Sequence, residues 1–216
     1  MSSLTRTNAP MSKPPTDEDI SVDRKSARAR ILAAAAELFY REGVRAVGID
    51  AVIAKAGVAK MSLYRAFPSK DDLVAAFLAE QNAGYWQWWE STISRHPGDP
   101  RGQLLAIFRG LAKRTSNPAF RGCPFVNTAV EFPEPDHPGR AIAIANKAEL
   151  RRRLGRLTAA LGVSDPALLA DHLLLLMEGA YCAGSVMGPT GPSAAAATAA
   201  EALINSAIGG PSPAKA

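Results

Sequence analysis

The architecture of this 216-residue chain turns on the run IAKAGVAKMSLYRAFPSKDDL, Ile53 to Leu73. Gly57 breaks it after Ala56 and Pro68 breaks it after Phe67; between them Leu63 and Phe67 recur four residues apart, on one face of a short helix over Lys60 to Phe67. Upstream, Ile49 to Ala56 places Val52, Ile53 and Ala56 on one face, so another short helix precedes the glycine. Downstream, Ser69 stands three residues before Asp72, a capping-box pattern that starts a long fourth helix directly after the proline. Further back, from Asp23 on, Ile31, Leu32, Ala35, Leu38 and Phe39 make the stripe of an amphipathic first helix closed by Gly43. Helix, short helix, glycine turn, short helix is the helix-turn-helix arrangement, in which the second short helix enters the major groove of DNA.

The charge lies in the same place. Residues 24–70 carry ten Lys/Arg against three Asp/Glu, whereas residues 1–23 sum to −2 and residues 71–216 to zero, so one segment holds the excess behind the net +5. A compact basic head on a neutral body is the profile of a nucleic-acid reader, and a solvated basic face would give the same sum. The remaining composition, 47% hydrophobic and 21% charged, provides for a packed core. No window approaches eighteen uninterrupted apolar residues, and Thr16-Asp17-Glu18-Asp19 stands where a signal peptide would be apolar, which points to a cytoplasmic protein with no membrane partner. Two cysteines, Cys123 and Cys182, exclude a disulfide framework and a four-cysteine metal site. Residues 1–22, with Pro10, Pro14 and Pro15 and no apolar periodicity, read as a disordered arm; 23–70 as the head, 71–209 as the body and 210–216 as a flexible tail.

The run from Ile53 to Leu73 resembles the signature of TetR-type transcriptional regulators, in its Ala-Gly-Val turn, its Leu63-Tyr64 pair, the aromatic Phe67 four residues after Leu63, and the Ser69-Lys70 step into helix four. The resemblance covers roughly residues 26 to 80. Two departures stand out: Met61 replaces a residue that is commonly small, and Ala59 replaces a frequent Ser or Thr, removing a cap for the third helix. Leu63, Phe67, Val52, Ile53 and Val58 read as core anchors. Lys60, Met61, Ser62, Tyr64 and Arg65 occupy the other arc of the third helix, where lysine and arginine donate to guanine edges or phosphate and the hydroxyls to phosphate. The resemblance implies that Tyr64 and Lys70 clamp the DNA backbone, Lys70 at a helix N-terminus that itself favours phosphate. Gly48 and Asp50 mark the start of helix two, a second backbone-touching place in such proteins, here without the usual hydroxyl. Arg24, Lys25, Arg28 and Arg30 add charge nearby, equally readable as a solvated face.

From residue 73 on, apolar residues recur at helical spacing in five or six further helices, which makes the chain all-α with about nine helices. Leu104, Leu105, Phe108, Leu111 and Ala112 repeat the stripe of helix one. Tyr85, Trp86, Trp88 and Trp89 fall within about 160° of one another at 100° per residue, a cluster able to line an apolar pocket or simply to fill a core. Expected pocket residues are Trp86, Trp89, Phe108 and Phe120, together with Cys123, Phe125, Met177 and Tyr181. Residues 117–140 read as a loop-rich gate, its Gly122-Cys123-Pro124-Phe125 block with Asn127 and Glu131 resembling one TetR subset. Cys123 and His137 lack a matching third ligand, so neither a metal nor a cofactor is expected, and no nucleophile and base pair supports catalysis. Arg151-Arg152-Arg153 reads as a solvated face. Asp165-Pro166 opens a helix apolar nearly all round, with Gly179, Ala180, Ala183 and Gly184 permitting close approach; Pro192 opens a last helix ending in Leu203, Ile204, Ala207 and Ile208.

These features imply, by the resemblance, a homodimer joined through the last two helices, a palindromic double-stranded DNA operator and a small apolar or amphipathic effector, the usual arrangement of a repressor. The residues alone leave open a helical small-molecule-binding protein without DNA function.

Overall fold

The structure, a computed structural model, describes residues 17–209, with side chains from Ser26 onward. The start of the arm, residues 1–16, and the tail over 210–216 lie outside the described residues, as do the side chains of Arg24 and Lys25. Nine α-helices follow one another among the described residues: α1 (Asp17–Glu42), α2 (Ile49–Ala56), α3 (Lys60–Ala66), α4 (Lys70–Ile93), α5 (Pro100–Thr115), α6 (Pro124–Glu131), α7 (Pro138–Ala160), α8 (Pro166–Met187) and α9 (Ala196–Gly209). Two single-turn 3-10 segments, Gly188–Thr190 and Pro192–Ala195, join α8 to α9. The chain is all-α, as expected. Helix one begins at Asp17, six residues before the expected Asp23.

The first three helices close on a small core made of Ile31, Ala35, Val52, Leu63 and Phe67, each with almost no exposed surface. Gly57 ends α2 at φ +62°, and its N–H reaches back to the carbonyls of Ile53 and Ala54; a side chain there would meet the left-handed penalty of about 1 kcal/mol. The reversal sets α3 across α1. Ala59 leaves α3 without a side-chain cap, as its methyl group dictates. The third helix ends at Ala66, and Phe67 has extended backbone as its C-cap, because the following proline disfavours helical geometry in the residue before it.

The box at α4 is complete. The amide of Asp72 donates to Ser69 Oγ at 3.0 Å and the amide of Ser69 donates to Asp72 Oδ2 at 3.0 Å. From that fixed start α4 buries Leu73, Val74, Phe77 and Leu78, with Phe77 edge-on to Phe39 of α1 at 5.7 Å between ring centres. Proline and a preceding acceptor start α5, α7 and α8 in the same way: Asp99 before Pro100, His137 before Pro138 and Asp165 before Pro166 each accept a backbone N–H. The proline lacks the donor that a first-turn residue could not use in any case. Around them Leu104, Ile107, Phe108, Leu150, Leu154, Leu173 and Met177 continue the same core into the body. Gly184 of α8 passes so close to α5 that an added Cβ would lie 2.8 Å from Thr115 Cβ. The expected loop-rich gate is interrupted by α6, which Pro124 starts and which buries Phe125 and Thr128.

Candidate nucleic-acid interface and cavity

Packing the apolar side of α3 inward turns its other arc outward. Met61 is 69% exposed and Tyr64 41% exposed; Lys60 and Arg65 are exposed and Ser62 is half-buried. Lys60 Nζ lies 3.4 Å from Asp50 Oδ1, and both side chains are largely in solvent, so this tie holds α3 to α2 only weakly. Gly48 is exposed at the N-cap of α2 in extended conformation, with nothing within 4 Å of where a Cβ would stand. Arg28 covers the ring of Phe67 at 4.8 Å and Arg30 donates to the carbonyl of Gly57 at 3.5 Å, which turns both toward the head's own surface. Lys70, half-buried, donates to the carbonyl of Arg45 at 3.4 Å. Burial lowers its pKa, and Glu131 and Asp71 oppose the shift. Lys60, Tyr64 and Arg65 are thus exposed on α3, while Lys70 at the start of α4 is half-buried and turned to the Arg45 carbonyl.

A second set of bonds ties this head to the body. Glu131, the last residue of α6, accepts from the amide of Arg45 at 2.6 Å; the Arg45 guanidinium reaches Glu134 at 3.4 Å and covers Phe132 at 5.2 Å. Phe132 stacks on His137, with centres 4.0 Å apart and 9° between planes. His137 Nδ1 accepts from Gly139 N, and Nε2 faces Asp71 Oδ1 of α4 at 3.6 Å. At the other end of α6, the Tyr40 hydroxyl accepts from the amide of Arg121 at 3.0 Å and donates to the carbonyl of Gly122 at 3.4 Å. Cys123 and His137 serve separate places: the histidine caps α7, and Cys123 Sγ accepts from Lys147 Nζ at 3.4 Å.

Lys147 lies in the wall of a cavity of about 300 Å³ between α4, α5, α6, α7 and α8. Of the eight pocket residues expected from sequence, Cys123, Phe125 and Tyr181 line it. The other five do not. Trp89 and Phe108 are filled core at 1% and 0% exposure, because the neighbouring helices close over the faces that carry them. Trp86 lies under Arg153, 4.2 Å from the guanidinium carbon. Phe120 stacks behind Tyr181 at 5.9 Å, and Met177 offers its sulfur to the Tyr85 hydroxyl at 3.7 Å from outside the cavity wall. Sequence reasoning missed Arg114, Asn146, Lys147 and Leu150, and on α4 Glu80, Gln81 and Gly84. Their only local sign is a polar residue on an otherwise inward helix face, as with Asn146, which is 4% exposed and donates to Asn82 Oδ1 at 2.9 Å. Burial pushes the phenols of Tyr85 and Tyr181 well above their ordinary pKa, so both stay protonated donors.

Of the arginine triplet, Arg151 and Arg152 lie mostly in solvent as expected, and Arg153 is largely covered. Arg151 pairs with Asp171 of α8, Arg152 with Glu149, and Arg153 with both Glu149 and Glu90 of α4. The hydrogen bonds from Arg152 and then Arg153 hold the carboxyl of Glu149 down at about 2.

A family model, bacterial regulatory proteins of the tetR family, matches residues 31–77, which hold the end of α1, α2, α3 and the first third of α4. The HTH-type transcriptional regulator YjdC of Escherichia coli is 24% identical over 152 residues, 70% of this chain and 80% of that protein. A crystal structure from Streptomyces avermitilis superposes with a TM-score of 0.72 at 31% identity, covering 84% of this chain and 97% of that one. The crystal structure of a TetR-family transcriptional regulator from Streptomyces coelicolor superposes with a TM-score of 0.82 at 33% identity, over 85% of this chain and 97% of its own. With its outward-turned third helix, its capped join to α4 and this likeness over the head and the body alike, the chain belongs to the TetR family of DNA-binding transcriptional regulators.

Proposed function

We propose that this regulator is a homodimeric repressor released from a palindromic operator by a small ligand bound in the cavity. One observation carries the reading: the cavity wall and the clamps on the head are opposite ends of the same helices. Helix α6 starts with Pro124 and Phe125 in the wall and ends with Glu131 on the Arg45 amide. Helix α4 starts at the capping box behind α3 and carries Gly84 and Tyr85 into the wall. At 1.5 Å per residue, α6 spans about 12 Å and the relevant part of α4 about 22 Å, lengths over which a helix moves as a rod. A ligand that prefers one position of these rods re-aims α3, and weakens DNA binding by its differential affinity for the two positions.

In this reading the head spans residues 23–70 and the body 71–209. Lys60, Met61, Ser62, Tyr64 and Arg65 meet the groove, while Lys70 and the peptide groups near Gly48 meet phosphates; Asp50 steadies Lys60. The dimer forms through α8 and α9. Leu168, Leu175 and Val186 on α8 and Ile208 on α9 are 48–78% exposed, an apolar surface that a second copy would cover. The stretch Pro166–Thr190 is apolar enough by composition to cross a membrane, yet only 39% of its best window is buried within one chain, which supports the same conclusion. Twofold pairing would set the two α3 helices about 34–36 Å apart, one turn of DNA.

The test is sedimentation of the full chain with and without duplexes selected from genomic fragments. Two chains per duplex, on sites with inverted repeats, are expected. A monomer that binds one half-site as tightly as the full repeat would refute the proposal.

A further inference from the structure

Resting on the reading of the cavity as the effector site, we infer that it is built for a small aromatic carboxylate, the acid group held by Arg114 and the hydroxyls of Tyr85 and Tyr181. The polar groups facing the cavity are unbalanced: donors are in excess. Tyr181 is 7% exposed and Tyr85 half-buried, and both line the cavity together with Arg114 of α5. Tyr85 donates to Met177 Sδ at 3.7 Å, a weak acceptor. Arg114 is exposed at the cavity's rim, near enough for its charge to act on both phenols, and its guanidinium forms no ion pair among the described residues.

The other lining charges are already answered. Lys147 is paired with Glu178 at 2.6 Å. Glu80 of α4 and Arg114 of α5 are both exposed, and water screens each of them. An entering acceptor with negative charge would replace the water on the two parallel N–H groups of the Arg114 guanidinium, and would take a phenolic O–H as well. A carboxylate meets that description, and the buried Tyr181, a donor fixed beforehand, offsets part of its removal from water. The rest of the wall is flat and apolar: Pro124, Phe125, Leu150 and the two tyrosine rings. A volume of about 300 Å³ lies at the lower end of ligand pockets, which favours a body of one or two rings.

The experiment titrates the full-length protein by calorimetry with benzoate, cinnamate and 1-naphthoate, and with the amide of each, a match in shape without the charge. At least one carboxylate should bind about tenfold or more tighter than its amide, the worth of a charge-assisted bond. Arg114→Met should abolish that preference, Arg114→Lys should keep part of it, and Tyr181→Phe should weaken the acid several-fold while leaving the amide unchanged. Equal affinity for acid and amide, or no binding by any of the three acids, would overturn the inference. Duplex affinity measured on the same samples separates the two readings. An acid that binds with preference but leaves duplex affinity unchanged sinks the effector reading alone; an amide that releases the duplex as well as its acid sinks the carboxylate alone.

Discussion

Replacing Lys70 by glutamine removes one cation from each protomer at the start of α4 while keeping a side-chain donor for the Arg45 carbonyl, now 3.4 Å from Nζ. If each Lys70 neutralises one phosphate, a dimer loses two such contacts, and the slope of log affinity against log salt becomes shallower by about 1.8. Between 50 and 200 mM salt, a fourfold change, the native protein should then lose about twelvefold more affinity than the variant. The effect should be alike on specific and random duplexes, since phosphates carry no sequence. Fluorescence anisotropy of a labelled duplex across that salt range reads the slope directly, and a thermal melt shows whether the head is still tied down. Glutamine also removes the attraction to Glu131 and Asp71, so a small loss of stability is expected; both contacts are partly solvated, and it should stay within about 1 kcal/mol. Unchanged slopes on both duplexes with an unchanged melt would refute the phosphate role of Lys70.

Three further outcomes follow from the packing and the charges. Leu63→Ala empties a fully buried position under α3 and should cost about 2–5 kcal/mol in urea unfolding; a loss below 1 kcal/mol would mean that α3 is not anchored through this residue. Glu131→Ala removes the acceptor 2.6 Å from the Arg45 amide, and amide exchange at Arg45 should quicken about tenfold or more; unaltered exchange would show that α6 does not hold the head there. Glu149 has a folded pKa of about 2, below its ordinary 4.5, so its contribution to stability is present above about pH 4.5 and is lost as pH falls toward 2. Glu149→Gln should flatten the fall in urea midpoint across that window, and an identical acid profile in the variant would count against the arginine pairing.

How much could be read in advance differs sharply between the head and the cavity. In the head, several helix boundaries have a chemical marker beside them, such as Gly57, Pro68, or Ser69 with Asp72, and the predicted core residues Leu63, Phe67 and Val52 are buried as periodicity requires. In the body, periodicity identified inward faces but not what those faces meet. Trp89 and Phe108 point inward and meet atoms; Tyr85 and Tyr181 point inward and meet a void. Arg153 differs from the expected solvated face for a related reason, since its partner Glu90 lies on another helix and is remote in sequence.

Most helix boundaries, the polar arc of α3 and the gathering of charge in one small segment are local properties of the chain, because capping groups, glycines, prolines and side-chain period act over a few residues. Tertiary structure alone decided that Arg114, Tyr85 and Tyr181 converge on one cavity, and that α6 spans from its wall to Arg45. Those outcomes depend on how the helices settle against one another. Such packing is fixed by the summed shapes of side chains from distant segments, and no single stretch of chain encodes it.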